Sequence, residues 1–117
     1  MQRSFRHFLL LAILAIAPAA FAGNASGTSV QMIVTNENGQ GTNPRFLVTV
    51  SGTHTGRSAC ATIPSRFAID LRTEAGKEQV SLVKTAHALG VILTIIGTGA
   101  CEVQTDSETM SYVLVGS

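Results

Sequence analysis

"RFAIDLRTEAGKEQVSLVKTAHALGVILTI", residues 66–95, changes its hydrophobic period twice, and those changes decide the fold class. Phe67 and Ile69 alternate with smaller or polar neighbours, as in a half-buried strand. From Glu74 the spacing turns helical: Ala75, Gln79, Val83 and Ala86 share one side, beside Leu82 and Leu89. Thr73 is suited to the N-cap, Glu74 to the positive end of the helix dipole, and Gly90 to the C′ position, so a helix is predicted over about 74–89. His87 falls in its last turn, where a partly charged imidazole complements the dipole. After Gly90, "VILTIIG" (91–97) returns to a strand pattern.

Upstream, "SVQMIVT" (29–35) places Val30, Met32 and Val34 on one face and reads as a strand. "NENGQGTNP" is a loop, "RFLVTV" (45–50) a strand and "SGTHTGRSA" a turn. "CATIPSRFAID" (60–70) is the expected third strand, with Pro64 removing a ladder donor and marking an edge, a bulge or a break. Downstream, "SYVLVG" (111–116) is the last strand, after a polar loop, 102–109, expected on the accessible surface together with residues 36–43. Phe46 and Phe67 are assigned to the core, and Val83, Ala86 and Leu82 to the helix face that packs on it.

The order is β-β-β-α-β-β: mainly β with one helix. It is the order of the OB-fold, a five-stranded Greek-key barrel with a helix plugging one end, although an α+β meander gives the same string. In the barrel, the starts of the third and fifth strands meet in parallel, and Cys60 and Cys101 stand near those two starts.

The first 22 residues read as a signal peptide: Arg3 and Arg6, the apolar run "FLLLAILAIAPAAFA", and an A-x-A site ending at Ala22. The run is short for a membrane span and is broken by Pro18. Residues 23–117 are then a single domain, periplasmic or secreted, with no membrane span after cleavage. Of eight Lys/Arg, two lie in the leader, leaving six against seven Asp/Glu with neither sign clustered. Such a surface does not attract a phosphate backbone, which excludes nucleic acid.

Two cysteines in an exported chain are expected to pair. Closing a loop of about 40 residues stabilises by roughly 3 to 4 kcal/mol on the chain-entropy account. A thiolate nucleophile would need an adjacent base, which sequence places beside neither Cys60 nor Cys101. No metal site or cofactor is expected, because the cysteines and histidines lack the close paired spacings of zinc ligands. Gly97-Thr98-Gly99 precedes neither a helix N-terminus nor a lysine, so it is no phosphate cradle. The glycines are expected to bend the chain and bring Cys101 to Cys60.

"NPRFLVTV", "SACA", "RFAIDLRTEAGKEQVSLVKTAHALGVILTI" and "GTGAC" together resemble the exported B subunits of bacterial toxins with one A and five B chains, of the subtilase-cytotoxin and typhoid-toxin type. The chain is similar as well to small exported bacterial proteins of unknown function with a "GTGxC" ending. The toxin resemblance covers most of the mature chain in pattern. It implies an OB-fold, a ring of five, no catalysis, binding of sialylated glycans, and a catalytic A-type subunit as partner. The family's sugar site draws on an aromatic-and-serine stretch before the first strand. Here that place reads "GNASGTSV", without an aromatic, and leaves Ser26, Thr28 and Ser29 as positional candidates. The family's cysteine in the second strand is replaced by Leu47.

The leading expectation is therefore an exported non-enzymatic binding module, glycan-binding and homo-oligomeric; the alternative is a small structural or assembly protein of the envelope. Catalysis would need His54 with Asp70, or Glu74 with His87, and such residues in a small exported chain are mostly solvated or capping. Asn24 opens an "NAS" sequon at the mature N-terminus, whose use depends on the host.

Overall fold

A computed structural model describes residues 22–36 and 44–116, with 32–36 described by their backbone alone. Most of the expected leader and the 37–43 loop lie outside the described residues. The elements are β1 (Asn24–Thr28), β2 (Val30–Asn36), β3 (Arg45–Val50), β4 (Arg66–Asp70), α1 (Glu74–Leu89), β5 (Leu93–Gly97) and β6 (Glu108–Val115). The strands form one mixed sheet in the order β1-β5-β6-β4-β3-β2, antiparallel throughout except for β4 with β6. Only Ser29 separates β1 from β2, so one run of chain supplies the strands at both ends of the ladder.

The helix begins and ends where its caps demand. Thr73 is extended (φ −105°, ψ 149°) and its Oγ1 accepts from Gly76 N at 2.9 Å. Gly90 adopts the left-handed conformation (φ 65°) that a side chain resists. Its N–H reaches the His87 carbonyl and Val91 N–H the Ala86 carbonyl at 3.1 Å, the paired bonds of a Schellman ending. Val83 and Ala86 are buried against the sheet, joining Phe46, Phe67, Ile69 and Ile95 in the main core. Leu82 is 42% exposed and Leu89 is more so, which corrects the expectation that Leu82 packs inward. The inward stripe is narrow because Gly76, Val83 and Ala86 are the helix's buried positions, and these side chains are small.

Four boundaries differ from the sequence reading. Residues 24–28 form a strand of their own, although Asn and Gly are poor strand formers. Pairing with β5 holds them, and the register slips between Ala25 and Thr28, where Gly27 has φ 60°. The strand expected from Cys60 starts only at Arg66, because Pro64 and the left-handed Ser65 (φ 59°) break it. The fourth strand starts at Leu93 rather than 91, after the helix ending has turned the chain. The last strand starts three residues early, at Glu108.

The segment before it is not simply an exposed loop. Val103 packs with Leu47 and Ala68 in a second small cluster, and Ser107, Glu108 and Thr109 are buried. Arg66 fastens this segment through Asp106 and Ser107, and Asp106 O accepts from Ile63 N. The disulfide Cys60–Cys101, with Cα atoms 6.1 Å apart, ties it to the 51–65 turn region. Among the described residues no helix is long and apolar enough to cross a membrane.

Candidate functional site

Two arrangements stand out, one buried and one on the surface. The buried one is built around Glu108, the first residue of β6, whose side chain has no exposure. Three backbone amides donate to its carboxylate: Gly23 N to Oε2 at 2.8 Å, Gly99 N to Oε2 at 3.4 Å, and Ser58 N to Oε1 at 3.2 Å. His54, with a side chain 1% exposed, places Nε2 3.6 Å from Oε1, too far for a hydrogen bond but close enough to feel its charge. Its ring lies on Phe67 with centroids 4.3 Å apart, and neither ring nitrogen has a hydrogen-bond partner. Burial lowers the His54 pKa below 6.5; Glu108 opposes that and Arg57 adds to it. Burial thus favours the neutral form of His54.

This group joins four segments: the start of β1, the 51–65 turn region, the Gly97–Gly99 turn and β6. A Cβ on Gly97 would collide with the Glu108 carboxylate, and one on Gly23 with His54 Nε2 and Glu108 Oε1. Gly97 thus has a role that the turn argument did not supply, whereas Gly99, at φ 85°, takes the bend toward Cys101. A general base must reach the proton it takes, and this imidazole is sealed from solvent.

The catalytic pairings considered from sequence are not formed. Asp70 is held by Arg72, through the guanidinium at 2.9 Å, and its pKa is lowered by that bond. Glu74 pairs with Lys77 at 3.0 Å on the exposed first turn. His87 lies at the other end of the same helix, about 20 Å away at 1.5 Å per residue. Glu108 was missed because "DSETMS" reads as a polar loop, and nothing in the sequence couples it to Gly23, His54 or Gly97.

The surface arrangement is a cross-strand row. Asn24 on β1 is opposite Ile96 on β5, and Ile96 is opposite Tyr112 on β6. Directly paired residues share a face, so an amide, an isoleucine and a half-exposed phenol line up across about 10 Å of sheet. Thr94 and Leu114 form the next row. Ser26, exposed, donates to Asn24 Oδ1 at 2.7 Å at the polar end. Ser29 is exposed too and meets Ser51, Oγ to Oγ at 3.1 Å. Thr28 is buried and its hydroxyl points to the Leu93 carbonyl, which separates it from the other two candidates. Among the described residues no three His, Cys, Asp or Glu side chains cluster as a metal site requires.

No family model, no curated protein and no solved structure matches the chain.

Proposed function

We propose that the chain is an exported, non-enzymatic binding module: an OB-type barrel that assembles as a homo-oligomer and takes a glycan on the outer face of β1, β5 and β6. The observation that carries the ligand class is the Asn24–Ile96–Tyr112 row with Ser26 beside it. Sugars are bound by an aromatic face flanked by hydrogen-bonding groups, and Tyr112 is 50% exposed at one end of a row whose other end is amide and hydroxyl. The barrel reading is supported by the run β1–β2, which flanks both ends of the ladder, and by the parallel pairing of β4 with β6. Counted as one bent strand, β1 and β2 restore five strands.

Export is supported by the leader motif ending at Ala22 and by the disulfide. Leu114, Ile92, Leu82 and Leu89 are exposed apolar side chains on which such an association would draw. A ring of five is the state implied by the resemblance to toxin B subunits, and multivalency would make weak single-site sugar binding effective.

The test is a glycan-array screen of the exported protein and its Tyr112→Ala variant, with mass by light scattering. The expected result is retention of at least one glycan class by the oligomer and its loss in the variant at unchanged melting temperature. Binding that survives Tyr112→Ala removes this face as the site. A monomer that retains no glycan overturns the reading.

A further inference from the structure

We propose that Glu108 is a binding site for the α-ammonium group of Gly23, created when a leader peptidase cuts the chain after Ala22. The inference rests on the export reading above. Hydrolysis of the Ala22–Gly23 bond consumes one water: its hydroxyl goes to the Ala22 carbonyl carbon and a proton to the Gly23 nitrogen. At neutral pH that amine takes a further proton from solvent and becomes a cation.

The nitrogen concerned already lies 2.8 Å from Glu108 Oε2, the length of a charge-assisted N–H···O bond. In the uncut chain it is an amide, and the donors to this buried carboxylate, Gly23, Ser58 and Gly99, are all neutral. His54 does not balance the charge, since burial favours its neutral form. A buried carboxylate bonded only by neutral donors is costly, with Arg57 the nearby cation and not bonded to it, and cleavage places a cation at the Gly23 nitrogen.

Three further features fit. Ala22 is exposed while Gly23 is buried, so the scissile bond lies where the chain passes from solvent into the protein. Beyond it the chain is fixed, with Gly23 O accepting from Gly97 N at 2.9 Å and Asn24 N donating to Thr55 O at 2.8 Å. A side chain on Gly23 would strike His54 Nε2 and Glu108 Oε1, so the site accepts an N-terminal glycine and no larger first residue.

The full-length chain is exported from a bacterium, purified, and its first residue read by N-terminal sequencing. The α-amine pKa is then measured by competitive acetylation across pH, and urea unfolding is compared with a form that begins at Ala22. That form keeps the Gly23 N–H but moves the ammonium into solvent. The expected start is Gly23, with an α-amine at least about one unit above the ordinary 7.7–8.0. The Gly23 form is expected to have an unfolding equilibrium constant at least about tenfold smaller than the Ala22 form. In a Glu108→Gln background that difference should vanish; should the variant not fold, the amine titration of the unaltered protein decides. A different first residue overturns the export reading with this cut. A Gly23 start with an ordinary amine pKa, or with stability equal to the Ala22 form, overturns the Glu108 site alone.

Discussion

The carboxylate of Glu108 stands in the space where a side chain on Gly97 would begin. The end of β5 and the start of β6 are thereby fitted to each other as a glycine and an acid, and the acid is satisfied by backbone amides from three other places.

Gly97→Ala should therefore destabilise by about 3 kcal/mol or more, since the methyl group must displace a buried, hydrogen-bonded carboxylate. Urea denaturation measures it. A cost below about 1 kcal/mol would mean that Glu108 can swing aside freely.

Acid should weaken the fold first through His54. Its folded pKa lies below 6.5, so well above pH 7 the imidazole is neutral both folded and unfolded and costs nothing. As pH falls through 6.5 the unfolded chain takes a proton that the buried ring resists, and stability drops until the folded pKa is passed. The charged neighbours that set this are Glu108, which opposes the depression, and Arg57, which adds to it. Asp70, depressed by Arg72, and Asp106, where burial is outweighed by bonds from Arg66 and others, act in a lower window. Their contribution is present above 3.8 and is lost below it. An NMR titration placing the His54 midpoint at or above 6.5 would contradict the first step.

The helix face is tested by three substitutions. Val83→Asp buries an unpaired charge and should cost several kcal/mol. Lys77→Ala, which loses only an exposed pair with Glu74, should cost less than about 0.5 kcal/mol. Leu82→Asp should resemble Lys77→Ala in a monomer and should weaken association if Leu82 lies at a subunit contact. Thermal unfolding and light scattering separate the cases.

Thiol titration of the unfolded, unreduced protein should find no free thiol. Replacing both Cys60 and Cys101 by alanine should cost about 2 to 4 kcal/mol. The loss should be accompanied by faster amide exchange in 98–107, which the bridge ties to the 51–65 turn region.

The helix was legible to the residue because Thr73 and Gly90 are local signals whose chemistry works within one turn. The hairpin of β2 and β3, the burial of Phe46 and Phe67 and the Cys60–Cys101 pair were legible as well. Strand β1 was not, because "NASGT" has neither alternation nor β-branched residues before Thr28; it is a strand only because β5 is beside it. Glu108 was illegible for the same reason. Its burial depends on amides brought from positions 23, 58 and 99, and no local pattern encodes a meeting of such distant segments.

The continuous run β1–β2 implies a schedule for folding. Its second half can pair with β3 as soon as a local hairpin closes, while its first half must wait for β5, about 70 residues later. The head of the domain is thus the first part to be made and among the last to be paired. For a chain threaded headfirst through a membrane, the stretch around Ala22–Gly23 would stay extended and open to a peptidase until residues 93–108 had followed it across.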